Sequence, residues 1–259
     1  MKKSGNTNSH WPLLCFLIGM LFLITCGREW NSVLDPESDL PVDGLVAYYP
    51  FNGNAEDESE RAQHGTVSGA TLAEDRFGNQ NRAYYFDGHS YIKASANGLP
   101  TDVRTVSLWF YANSLYTIHI ILGYGGNSAW GGPGSSWFMG VDGVHFQMST
   151  HYGSNEIKYY YASKPLGTWV HFIVTTDPTG SKLFINGERK ATNTTFVSNT
   201  YVSGKDLAIG VDVSANGRAP YTDGNVGYFV GRIDDIRIYN RALDGREIQA
   251  LYHENGWPK

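Results

Sequence analysis

The chain has little cysteine. Its two, Cys15 and Cys26, both lie near the amino terminus, so everything beyond them folds without a disulfide. That excludes a disulfide-stapled scaffold, and more than two hundred residues remain to build a core without staples. A basic surplus is also lacking. The formal charge is −5, and removing residues 1–25 takes away Lys2 and Lys3 but no acid, which makes it −7. Nucleic acid is therefore excluded as a partner on electrostatic grounds. The catalytic signatures G-x-S-x-G, H-E-x-x-H and C-x-x-C are missing, and the eight histidines are scattered. The apolar run Leu13–Ile24 is too short for a membrane-spanning helix and has the length of a signal-peptide core.

What the chain does have is glycine and aromatic side chains: 30 Gly, 17 Tyr and an aromatic content of 14%. Short alternating runs dominate. In Val103–Ala112, Val106, Leu108 and Phe110 share one face while Ser107, Trp109 and Tyr111 share the other, so both faces should be covered. Asp142-Gly143 and Asn186-Gly187 are two-residue hairpin signals. About a dozen strands are expected, among them Leu45–Phe51, Thr66–Leu72, Ile118–Leu122, Trp169–Thr176 and Val226–Tyr239. Asp244 and Glu247, spaced as a capping box, open a closing helix that Gly256 and Pro258 stop. The pattern predicts an all-β, two-sheet antiparallel jelly-roll sandwich with a short C-terminal helix, formed by one domain over 44–259.

Asp234 stands out. Counting in twos from Ile238 and Ile236 puts it on a buried face. A buried carboxylate without a partner costs several kcal/mol, roughly. It therefore needs an arginine, backbone N–H groups or a metal beside it, or it serves catalysis.

The stretch GRIDDIRIYNRAL, followed by D-x-x-E-I-x-x-L-Y, resembles the closing strand and helix of bacterial LamG-like domains of the concanavalin A-like lectin/glucanase superfamily. GLVAYYPFN (Gly44–Asn52), RFGNQNRAYYFDG (Arg76–Gly88) and TWVHFIVTTDPTGSKLFINGE (Thr168–Gly187) match in the same order. The resemblance implies the same sandwich. It also implies a structural Ca²⁺ tying the first strands to the last, held by Asp234, Gly88 and a carbonyl near Asn52, with Asp57 as a further oxygen donor.

In the glucanase branch, the resemblance implies two carboxylates on one central strand. A retaining glycosidase needs its acid and nucleophile roughly 5 Å apart. Between Val103 and Thr176 the only acids are Asp142, in a turn, and Glu156, at a strand start. Glu56, Glu58 and Glu60 alternate within a polar loop and read as a solvated face. The expectation is a non-catalytic module. Its partner is a carbohydrate or another cell-surface ligand, with a protein-binding adhesive module and a glycosidase as the alternatives. Gly123–Ser136, six of whose fourteen residues are Gly, cannot form a regular element. It is expected to bring Tyr116, His119, Tyr124, Asn127, Trp130 and Trp137 to one loop edge, with Tyr152 and Tyr159–Tyr161 able to add to it. Trp130 either covers a core or stacks on a saccharide. His171 is expected to be a satisfied core or groove residue.

The end of the apolar run, Leu23-Ile24-Thr25-Cys26, resembles a bacterial lipobox, with Thr25 departing from the usual small residue. The resemblance implies a signal peptide over 1–25, a lipidated Cys26 and an exported protein anchored to a membrane of the cell envelope. Residues 26–43, acidic and carrying Pro36 and Pro41, read as an extended tether.

Overall fold

The structure, a computed structural model, describes residues 40–126, 136–150, 156–194, 199–223 and 226–258. Among these residues sixteen strands form two sheets. In chain order they are β1 (Leu45–Tyr49), β2 (Thr66–Ser68), β3 (Thr71–Ala73), β4 (Ala83–Asp87), β5 (Tyr91–Ser95), β6 (Arg104–Ala112), β7 (Ile118–Tyr124) and β8 (Trp137–Val141). There follow β9 (His145–Thr150), β10 (Glu156–Tyr160), β11 (Trp169–Asp177), β12 (Gly180–Ile185), β13 (Glu188–Asn193), β14 (Asp206–Ile209), β15 (Val226–Gly227) and β16 (Val230–Tyr239). Helix α1 (Gly245–Tyr252) closes the chain.

The first sheet runs β13-β12-β11-β6-β16-β4-β3, with β1 also on β16. The second runs β10-β9-β8-β7-β14-β5-β2, with β15 on β7. All pairings are antiparallel except that of β15 with β7. The inner faces meet in one core. Val106, Leu108 and Phe110 of β6 enter it together with Ile233, Ile236 and Ile238 of β16 and Leu122 and Met139 from the opposite sheet. Burial of each large apolar side chain contributes on the order of 1.5–3 kcal/mol.

The outer face of the first sheet is covered as well, which is why β6 is apolar on both sides. Leu243, Ile248 and Leu251, from the α1 region, pack there on Ile173, Phe184 and Tyr239. Asp244 caps α1, accepting from the Arg246 and Glu247 N–H groups while Glu247 accepts from the Asp244 N–H. Leu40 joins this cluster, and the Asp43 carbonyl accepts from Arg241 Nε at 2.8 Å. The end of the expected tether is thus docked on the domain.

Several boundaries differ from expectation for local reasons. Thr66–Leu72, read as one strand, is two, with β2 in one sheet and β3 in the other. Gly69, at φ +80°, turns the chain between them. Val226–Tyr239 is likewise split into β15 and β16. Asn186-Gly187 forms its turn with φ +50° and +76°, which the Asn-Gly pair tolerates. The larger correction concerns β16. Asp235 has φ +45°, and the register slips between Asp234 and Arg237. This bulge adds one residue, so Ile233 and Ile236 both face the core while Asp234 faces outward. Counting in twos across it assigned Asp234 to the wrong face. On the outward side Arg76 covers the Asp234 carboxylate at 3.4 Å and is itself held by Glu254 of the carboxyl-terminal segment. The bulge also marks a change of neighbour: β16 pairs with β4 up to Ile233 and with β1 from Ile236.

Candidate functional site

The gap opened by the bulge holds a buried ion cluster. Arg76 Nη1 lies 3.4 Å from Asp234 Oδ2 and 2.5 Å from Asp235 Oδ2, and its Nη2 lies 3.2 Å from Glu254 Oε2. Arg237 grips Glu254 with two bonds, of 2.9 and 2.7 Å, and donates to the Tyr48 hydroxyl. Asp234 is held well above the usual carboxylate range, first by burial and then by the charge of Asp235, with Arg76 pulling the other way. A proton on Asp234 leaves two guanidinium groups facing two carboxylates. The Arg76 guanidinium also sits over the rings of Phe77 and Trp109, at 4.4 and 4.6 Å. An arginine is therefore the partner that Asp234 required.

The four residues expected to hold Ca²⁺ do not form one donor set. Asn52 and Asp234 line the same polar pocket, of about 130 Å³. Gly88 follows Asp87, which pairs with Val230, four positions along β16 from Asp234 and so roughly 13 Å away at strand rise. Asp57 has both oxygens occupied, accepting from the N–H groups of Tyr48, Ser59 and Gln63. The Asn52 amide oxygen takes Arg82 at 2.8 Å. Among the described residues no group of three His, Cys, Asp or Glu is arranged to hold a metal ion.

The expected aromatic loop edge is also redistributed. Tyr116 is 89% exposed but precedes β7, whereas Tyr124 ends it, so six residues of strand, roughly 20 Å, separate them. Tyr124 and Trp137 are fully buried and present no face to a ligand. They enclose Arg104, whose guanidinium carbon is 5.4 Å from each ring and whose Nη1 donates to the Tyr124 hydroxyl at 2.7 Å. His119 is buried, with Nδ1 2.7 Å from the Tyr228 carbonyl. Tyr159 and Tyr161 pack on the core, while Tyr160 is exposed. Asn127, Trp130, Tyr152 and Cys26 lie outside the described residues. His171 is a buried core residue, as expected, but only half satisfied: Nε2 has a partner and Nδ1 has none among the described residues. It is 2.8 Å from Ser107 Oγ and stacked on Trp109 at 4.6 Å. Glu56, Glu58 and Glu60 are exposed in their loop.

What the sequence pattern missed is an open cavity of about 440 Å³ on the outer face of the second sheet. Its floor is Thr66 of β2, Lys93 and Ser95 of β5 and Asp206 of β14. These come together because Thr66 pairs with Lys93 and Ser95 with Asp206, while Ile92, Ala94 and Leu207 point into the core. The walls are Asn97, Lys205, Arg218 and His64. Asn97 Oδ1 accepts from the Gly204 N–H at 2.6 Å, and Ser95 Oγ accepts from the Asn97 N–H at 3.2 Å. His64 Nδ1 accepts from the Asp57 N–H, so Nε2 is the nitrogen left to donate. Asp206 accepts from the Ala219 N–H at 3.0 Å and lies 3.4 Å from Arg218. The glycine-rich segment starts from this wall: the Gly125 N–H donates to the Asp206 carbonyl and the Gly126 N–H to that of Tyr201. Tyr201 is half exposed, with Lys205 Nζ 5.5 Å from its ring centre. Only the floor residues on adjacent strands were open to a sequence argument; the walls come from four separate segments.

The family described as the concanavalin A-like lectin/glucanases superfamily matches residues 86–249, well over half of the chain. The chain belongs to this superfamily. Its sandwich resembles domain 4 of AbnA, a GH43 extracellular arabinanase from Geobacillus stearothermophilus, solved in complex with arabinotriose. That likeness has a TM-score of 0.62 and 22% identity, covering 80% of this chain and 98% of that one. It also resembles the binding domain of Paraclostridial Mosquitocidal Protein 1, with a TM-score of 0.61, 15% identity and coverage of 81% and 52%. The binding domain of botulinum neurotoxin serotype D gives 0.60 at 17% identity, covering 82% and 52%. The chain spans about half the length of these toxin domains. At such identities the likeness is one of fold. No curated protein matches the chain.

Proposed function

We propose that this superfamily member is a non-catalytic carbohydrate-binding module and that its binding surface is the cavity over β2, β5 and β14. The observation that carries this reading is the cavity lining. Hydroxyl, amide, ammonium and carboxylate groups converge beside an exposed tyrosine ring, the mixture that holds sugar hydroxyls and stacks on a sugar face. Its volume lies within the range of ligand sites, about 300–1,000 Å³. The arabinotriose held by domain 4 of the arabinanase supports the same class of ligand. A glycosidase is disfavoured because the cavity holds one carboxylate, Asp206, tied to Arg218 and a backbone N–H. The carboxylate-rich pocket beside Asp234 is too small for a saccharide; arginines bind Asp234, Asp235 and Glu254, and Phe77 and Asn79 donate to Asp75.

A glycan array probed with the protein, with and without EDTA, tests the reading. Binding to a defined saccharide class is expected, and Trp130→Ala should weaken it about tenfold if that ring stacks on the sugar. A blank array from folded protein would favour the protein-binding alternative.

We further propose that the protein is exported and held to a cell-envelope membrane through lipid on Cys26. The support is the lipobox-like LITC sequence and the absence of any other cysteine after it. Cys26→Ser should move the protein from the membrane fraction to the soluble one. Unchanged membrane retention would sink the anchor.

A further inference from the structure

The chain as a whole carries five more acids than bases, yet this cavity has the opposite balance. Lys93, Lys205 and Arg218 line it against a single acid, Asp206. Asp206 is spoken for, since it sits on Arg218 at 3.4 Å. Lys205 Nζ donates only to a neutral acceptor, the Asn216 carbonyl at 2.9 Å, and stands over the Tyr201 ring. Lys93, fixed on the central strand of the floor, makes no ion pair among the described residues. Of the four other described lysines, Lys158, Lys182 and Lys190 each rest on a carboxylate, while Lys164 stands over the Tyr116 ring. Two lysines with no carboxylate partner in one concave site leave a local positive field that only an outside anion neutralises. Hydroxyl and amide groups of Thr66, Ser95 and Asn97 lie between them. A simple anion does not need those groups, whereas a sugar carrying an anion does.

We infer that the cavity selects anionic saccharides, those bearing a uronate carboxylate or a sulfate ester, with Lys93 and Lys205 as the discriminating pair. This rests on the carbohydrate-binding reading above and narrows its ligand class. Lysine suits the task because its compact ammonium is a point charge that accepts either anion, while a bidentate arginine site would demand one geometry.

The test is calorimetric titration of the full-length protein in detergent with three probes: a galacturonic acid oligosaccharide, the neutral galactose oligosaccharide of equal length, and its sulfated form. At low salt at least one anionic probe should bind about tenfold more tightly than the neutral one, and raising NaCl to about 0.2 M should remove most of that margin by screening. Lys93→Gln and Lys205→Gln should each cut anionic affinity several-fold and neutral affinity less, so that the margin between the probes narrows, with melting temperatures checked to confirm folding. Which anionic probe responds tells uronate from sulfate. Equal affinity for neutral and anionic probes, or lysine variants that bind the anion as well as the native protein, would overturn the inference while carbohydrate binding stood. Failure of all three probes, together with a blank glycan array, would remove both readings.

Discussion

Arg76→Ala is expected to cost about 3–5 kcal/mol of folding stability, the usual loss when one partner is removed from a buried ion cluster. Arg76 is the residue that spans the gap at the β16 bulge. Without it, Asp234, Asp235 and Glu254 face the single guanidinium of Arg237. The cavity left behind adds to the loss, because the Arg76 guanidinium fills the space between Phe77 and Trp109. For a domain of this size the melting temperature should fall on the order of 10 °C. Arg76→Lys should recover little, since one ammonium cannot reach three carboxylates or stack between two rings. The cluster also ties Glu254 to the sheet, and next to it Trp257 packs edge-on against Phe77 and Trp109. The variant should therefore be cleaved earlier by a protease beyond Tyr252. A shift under about 2 °C with an intact tail would mean that the cluster does not hold the carboxyl terminus.

This cluster shows where sequence reasoning succeeded and where it stopped. That a buried Asp234 needs a partner followed from desolvation alone. That the partner is Arg76, 158 residues away, did not, because no local pattern links positions across a sheet. The strands were legible wherever apolar residues alternate, as in β6 and β11, and the helix was legible from Asp244 and Glu247. The alternation failed at Asp235, where a positive φ inserts one residue and reverses the faces that follow. The aromatic site failed for a different reason. Tyr116 and Tyr124 are close in sequence, but an extended strand carries them to opposite ends of the sandwich, and a glycine-rich root says nothing about whether Trp137 turns inward. The cavity was invisible because Thr66, Lys93 and Asp206 meet only through pairings among β2, β5 and β14.

The contribution of Asp212 to folding stability should decline as pH rises from about 4 to about 8, and Asp212→Asn should abolish that decline. Asp212 lies in the segment that folds over the outer face of the second sheet, where Val211, Val213 and Ala219 cover Ala208. Burial pushes its carboxyl up to about 8, the Asp223 charge adds to this, and the Val213 N–H, donating at 2.7 Å, opposes it. In the unfolded chain the same carboxyl releases its proton near 3.8. Between the two values the folded protein keeps a proton that the unfolded chain has lost, so each rise of one pH unit costs up to about 1.4 kcal/mol. Below pH 4 both states are protonated and above pH 8 neither is, so the slope vanishes at both ends. His171 acts with the opposite sign. Its imidazole is held well below its ordinary value, by burial first and then by Arg76 and Arg237, so stability is lost as pH falls through about 6.5. Comparing the variant with the native protein cancels this contribution. Asparagine keeps an oxygen for the Val213 N–H and carries no charge, so the gain from Asp212→Asn should grow steadily between pH 5 and 8, reaching a few kcal/mol in urea midpoints. Parallel pH profiles for the two proteins would show that Asp212 is already ionised in the fold. The effect bears on binding as well. Arg218, in the same segment, forms one wall of the cavity. Amide exchange there should accelerate with rising pH beyond its intrinsic rate in the native protein and not in Asp212→Asn, which links the titration of one buried carboxyl to the shape of the proposed sugar site.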